Sequence, residues 1–116
     1  MNIYVDLDNT LCYTDKSDYE KSKPIVERIE HFNNLKQQGN KIVIWTARGS
    51  NSGIDYEELT KTQLKDWGVD FDNLLMNKPA YDVYYDDKSI NIDTYLPVPN
   101  KDNNDTKSKK LGVEIV

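Results

Sequence analysis

Apolar and polar positions alternate along this chain in blocks that define its elements. "NIYVDL", residues 2 to 7, is a short run rich in β-branched and aromatic residues and reads as a strand. "NTLCYTDKSDYEKSK", residues 9 to 23, is polar and loop-like. Pro24 suits the first position of a helix, where its missing N–H costs nothing. Ile25, Ile29, Phe32 and Leu35 follow at near-helical spacing as one buried face, and Gly39 is placed to end that helix. "KIVIWT", residues 41 to 46, is continuously apolar up to its last residue, the pattern of a strand covered on both faces. "ARGSNSG" reads as a flexible loop.

Asp55 is placed to cap a second helix, with Glu57 and Glu58 in its first turn and Leu59, Leu64 and Trp67 as its apolar positions. Gly68 stops it. "NLLM", residues 73 to 76, and "DVYYDD", residues 82 to 87, read as two further strands, and at least one of Tyr84 and Tyr85 should be buried in the second. The order strand, helix, strand, helix, strand, strand predicts an α/β fold: a three-layer, Rossmann-like core with a mostly parallel sheet. Residues 1–96 form this core. Residues 97–116 form a tail, in which "NKDNNDTKSKK" has almost nothing to bury and "LGVEIV" is apolar again, as an extra edge strand, a docking segment or a loose terminus.

Composition narrows the function. A chain of 116 residues, 37% hydrophobic and 30% charged, is expected to be one globular domain. The net charge of -5 argues against a broad grip on a nucleic-acid backbone. The lone cysteine, Cys12, cannot pair within the chain. With neither a signal peptide nor a membrane-length apolar run in view, a cytoplasmic setting is the expectation.

The polar residues that matter collect at one edge. Parallel sheets bind ligands outside the carboxyl ends of their strands. The first predicted strand ends at Asp6 and Asp8, the second at Thr46, the third just before Lys78, and the fourth at Asp86 and Asp87. Two acids spaced two apart on a strand point the same way, so Asp6 and Asp8 are expected to face one reacting centre. Clustered carboxylates without a His or Cys partner select a hard cation, and Mg2+ suits them best. A carboxylate that attacks phosphorus, a second acid that moves protons, and a hydroxyl and an ammonium that hold phosphate oxygens together suit phosphoryl transfer.

In that order, "DLDNT", Thr46 after "IVIW", Lys78 and "YYDD" resemble the four motifs of the haloacid dehalogenase-like phosphatases. "DLDNTLC", "DYEKSKPI", "GNKIVIWTAR", "WGVDFDNLLMNKP" and "YYDDKSI" look like the small capless members found in capsular polysaccharide biosynthesis clusters, a likeness running from residue 2 to 96. The resemblance implies Asp6 as nucleophile and metal ligand, and Asp8 as general acid/base and a ligand through its backbone carbonyl. It implies Thr46 and Lys78 as holders of the phosphoryl group, and Asp86 with Asp87 as further metal ligands, the split between those two left open. Asn9, Thr10, Ala47 and Arg48 are candidate substrate contacts. Arg48, in the loop beside Thr46, is expected to reach a substrate's anionic or hydroxyl groups. No cap insertion fits, so the site should be open, to a large substrate or to cover from a second copy of the chain.

The expected activity is Mg2+-dependent hydrolysis of a phosphomonoester, with a sugar phosphate implied by the subgroup. A nucleotidase or polynucleotide phosphatase, a receiver domain and an inactive binding relative are the alternatives. A receiver takes its phosphate on a mid-sequence strand, whereas here the paired acids open the chain. His31 and Cys12 are expected to be structural.

Overall fold

The computed structural model describes residues 1–98. Its order is strand β1 (Asn2–Val5), strand β2 (Cys12–Tyr13), a 3-10 turn (Tyr19–Lys21), strand β3 (Lys23–Pro24), helix α1 (Val26–Gln37), strand β4 (Lys41–Trp45), helix α2 (Glu57–Asp66), strand β5 (Asn73–Leu75) and a short helix α3 (Ile92–Tyr95). Residues 1–84 form one compact unit, and described residues 85–98 belong to a second. Residues 99–116, which carry the predicted polar linker and "LGVEIV", lie outside the described residues.

The main sheet runs β1-β4-β5, all parallel, so the fold is α/β as the pattern predicts. Central β4 buries Ile42, Val43 and Ile44 in succession. Side chains on a strand alternate faces, so three consecutive buried residues require cover on both sides. Ile29 and Phe32 of α1 and Leu64 of α2 join Val5, Leu7 and Leu11 in the core. The pairing of Val5 with Ile44 and of Trp45 with Leu75 brings the carboxyl ends of all three strands level. That register positions the site.

Both long helices end as their glycines predict. After α1, Gly39 takes a φ of 103°, its N–H bonds the Lys36 carbonyl and the Asn40 N–H bonds the Leu35 carbonyl. After α2, Gly68 repeats the arrangement, with Val69 N–H on the Leu64 carbonyl and both of those side chains buried. These paired bonds satisfy carbonyls that a helix end otherwise leaves open.

Three expectations differ. Pro24 is not the first helical residue: it pairs with Cys12 in the small antiparallel β2–β3 ladder, and α1 starts two residues later at Val26. The "DVYYDD" segment forms no strand. Its residues are exposed, Tyr84 and Tyr85 included, so strand-like composition here finds no ladder to join. Asp55 accepts the Glu57 N–H at 2.9 Å but sits one residue ahead of Tyr56, which occupies the cap position.

Candidate functional site

Beyond Val5 the chain leaves the sheet and turns tightly. Asn9 adopts a φ of 65°, its N–H donates to the Cys12 carbonyl, and Thr10 and Leu11 both donate to the Leu7 carbonyl. Asn tolerates this left-handed geometry better than most residues. The Asn9 side-chain oxygen accepts the Thr14 N–H, and buried Arg28 of α1 donates to the Asn9 and Thr10 carbonyls. The loop carrying Asp6 and Asp8 is therefore bonded along both its backbone and its flank.

The two acids meet different cations. Asp6 takes the Lys78 ammonium on Oδ1 at 3.2 Å and the Thr10 hydroxyl on Oδ2 at 3.0 Å. Asp8 takes Arg48, with Nη2 on Oδ1 at 2.9 Å and Nε on Oδ2 at 3.0 Å, and the Thr14 hydroxyl on Oδ1 at 2.6 Å. Each carboxylate thus has its own cation and its own hydroxyl, which offsets the repulsion that two adjacent acids would otherwise suffer.

Asp6 opens onto solvent: its side chain is 41% exposed, that of Lys78 only 16%. A cavity of about 280 Å³ is lined by Asp6, Ala47, Lys78, Pro79, Ala80 and Tyr81. The Lys78 ammonium stands 5.7 Å from the Trp45 ring centre and 5.5 Å from that of Tyr81, within cation–π range of both. Its backbone is pinned, with Lys78 N–H on the Thr46 carbonyl and the Ser50 hydroxyl on the Lys78 carbonyl. Thr46 is buried. Its Oγ1 accepts the Arg48 N–H, a bond that leaves the hydroxyl's own proton free to donate.

Arg48 does not reach outward to a substrate. It is buried and points inward to Asp8, with its guanidinium 4.7 Å from the Tyr19 ring centre. Burial without partners would cost several kcal/mol (about the penalty for a desolvated ion), so the guanidinium is surrounded by acceptors. The loop that bears it is a fitted turn rather than a loose one. Gly49 has a φ of 82°, and a Cβ there would lie 2.2 Å from the Ile54 carbonyl oxygen.

Thr14, Ser22, Thr60 and Gln63 were not legible as site residues. Thr14 and Ser22 sit in a stretch that reads as a polar loop, and Thr60 and Gln63 among the apolar positions of the second predicted helix, yet Thr14, Thr60 and Gln63 are buried. A signal did exist: Thr60, Gln63, Leu64 and Trp67 recur at helical spacing, a polar pair inside an apolar stripe.

Cys12 is buried among the Leu7 carbonyl, Asp8 and Thr14, and burial pushes its thiol up to about 11. Such a shift favours the protonated thiol at neutral pH. Asp86 lies in the second unit and is exposed. Its carboxylate accepts the Lys88 N–H and the Ser89 hydroxyl, which hold it below the usual carboxylate range. Asp87, beside it, is also exposed. Mg2+ calls for oxygen donors, and the open Asp6 carboxylate is of that type. Among the described residues, however, no group of three or more His, Cys, Asp or Glu side chains is gathered that could hold a metal ion. Among the described residues, too, no helix is long and apolar enough to cross a membrane.

No family model matches the chain, and no curated protein does. Solved structures do. A crystal structure of a protein from Vibrio cholerae is similar at a TM-score of 0.73 and 26% identity, over 94% of this chain and 98% of that one. A structure of the Pnkp1/Rnl/Hen1 complex is similar at a TM-score of 0.54 and 26% identity, over 65% of this chain and 27% of that one. A structure of the Pnkp1/Rnl/Hen1 RNA repair complex is similar at a TM-score of 0.54 and 24% identity, over 98% of this chain and 32% of that one. This chain therefore spans at most about a third of the chains it matches in those complexes. With the parallel sheet and its carboxyl-edge cavity, these likenesses are compatible with a haloacid dehalogenase-like architecture, and they establish that the chain carries an α/β core shared with solved proteins.

Proposed function

We propose that this protein hydrolyses phosphomonoesters by way of a phosphorylated Asp6. The observation that carries the reading is an open carboxylate beside a nearly buried ammonium, at the carboxyl edge of a parallel sheet and on the wall of a cavity. In the first step an Asp6 oxygen bonds to phosphorus, the bond to the ester oxygen breaks, and Asp8 gives that oxygen its proton. In the second step water bonds to phosphorus, Asp8 takes the water's proton, and the acyl-phosphate bond breaks to return the Asp6 carboxylate and free phosphate. Lys78 trades part of its pairing with Asp6 for the phosphoryl oxygens, and the Thr46 hydroxyl donates to them.

Mg2+ belongs to this proposal. Bound at Asp6 and the Asp8 carbonyl, it would offset the charge of a dianionic phosphate. A sugar phosphate is the proposed substrate, on the strength of the sequence resemblance alone. The net charge of -5 weighs against a polynucleotide.

The test is phosphate release from sugar phosphates, nucleotides and phosphorylated oligonucleotides, with Mg2+ or with chelator, beside Asp6→Asn. Release that needs Mg2+ and disappears in Asp6→Asn supports the reading. Equal release by the variant removes Asp6 as the nucleophile.

A further inference from the structure

Arg48 has five N–H groups, and every one is engaged. Nε donates to Asp8, and Nη2 to Asp8 and, at 3.4 Å, to the Ser22 hydroxyl. Nη1 donates to Thr60 Oγ1 at 3.0 Å and to Gln63 Oε1 at 2.6 Å. Thr60 and Gln63 lie on α2, at 0% and 8% exposure, and neither lines the cavity. The Gln63 amide is itself oriented: its Nε2 donates to the Tyr19 carbonyl at 2.7 Å, so its oxygen must face the guanidinium. The hydroxyls beside Asp8 are directed too. Thr14 spends its proton on Asp8, so in the 2.6 Å contact between Thr14 and Ser22 the proton belongs to Ser22.

We infer that Gln63, with Thr60, is a positioning residue of the active site, acting through Arg48 to hold the Asp8 carboxylate in one orientation. The inference rests on the proposed proton-transfer role of Asp8. A planar guanidinium bound to Asp8 alone can tilt about that contact. Anchored on its far side by two buried acceptors from a second element, it has one pose, and Asp8 takes that pose with it. The reach of α2 into the reaction is therefore purely through orientation. Proton delivery tolerates small misplacement badly, whereas substrate binding at Asp6 and Lys78 does not depend on it.

This separates two kinds of substrate. An alkyl phosphate has a poor leaving group and needs the proton from Asp8. p-Nitrophenyl phosphate departs as a stable anion and needs it far less. In Gln63→Met, kcat/KM for an alkyl phosphate, which reports the transfer to Asp6 rather than the hydrolysis step both esters share, is expected to fall about 10–100-fold, while kcat/KM for p-nitrophenyl phosphate loses much less. Thr60→Val, which keeps shape and loses the acceptor, is expected to show the same split in weaker form. Equal losses on both substrates, or no loss on either, would overturn the positioning role.

A second measurement stands apart from activity. The Arg48 Nε–H is expected as a slowly exchanging NMR signal in the parent protein, with faster exchange in Gln63→Met and in Thr60→Val at unchanged circular dichroism. Unchanged protection in both variants would overturn the inference. If the parent protein hydrolyses neither ester, the phosphatase reading fails, and this exchange measurement alone then decides whether Gln63 orients Arg48.

Discussion

Arg48 and Lys61 each pair with an acid, but their surroundings differ. Lys61 meets Glu57 one helical turn away with both side chains about half exposed, a pair of the kind that solvent screens and that contributes little. Arg48 has no exposed side-chain surface, and Asp8 keeps only 21%. Removing one member of such a pair leaves the other desolvated, at a cost of about 3–5 kcal/mol. Arg48→Leu is therefore expected to lower the unfolding free energy in urea by about 3 kcal/mol or more, and Lys61→Ala to change it far less. Similar values for both would contradict the buried-clasp picture. Asp8→Asn keeps the shape but gives up the proton, so turnover is expected to drop by on the order of 10²–10⁴ in steady-state assays. Asp6, Asp8, Thr46 and Lys78 were legible because each lies within a few residues of a strand end. The inward turn of Arg48 was not, because its partners Thr60 and Gln63 come from a helix more than ten residues further along, and only the fold brings them together.

At the scale of elements, glycines and one aspartate separate geometric need from habit. A Cβ at Gly49 would run into backbone at 2.2 Å, whereas at Gly39 it would meet nothing within 4 Å and suffer only from φ. Gly39→Ala is expected to cost about 1 kcal/mol, and Gly49→Ala clearly more, as read by chemical denaturation. Asp72 closes the β4–β5 pair from outside: it accepts the Ile42 N–H and returns its own N–H to the Ile42 carbonyl, while Lys36 of α1 binds its other oxygen. The Ile42 N–H first, then Lys36, hold the Asp72 carboxyl below its usual range. A lowered value stabilises the fold above the ordinary carboxylate range, and that contribution fades as pH falls through it. The melting temperature of Asp72→Ala should thus lie below that of the parent at pH 7, with the gap closing below about pH 4. A gap independent of pH would contradict the assignment. The three parallel strands could be read from their apolar runs. The "DVYYDD" segment could not, since its tyrosines and valine satisfy strand preference without a partner edge, and pairing rather than propensity decides.

At the scale of the molecule, the fold sets one open carboxylate against one clasped one. The parallel register lines up three strand ends. The loop after β1 presents Asp6 to the cavity, and α2 supplies the far side of the clasp on Asp8. The order of the elements and the sheet edge where the polar residues gather followed from alternating apolar blocks. Which acid opens onto the cavity and which is clasped by Arg48 did not, because both precede the first helix and look alike in one dimension. The central claim is that a phosphoryl group passes through Asp6. Its most direct test is acid quenching during turnover of p-nitrophenyl phosphate with Mg2+, followed by peptide mass spectrometry. The account predicts a peptide spanning Asp6 that is heavier by one phosphoryl group, and no such peptide from Asp6→Asn. Rapid turnover with phosphate trapped on another residue, or undiminished turnover by Asp6→Asn, would contradict it.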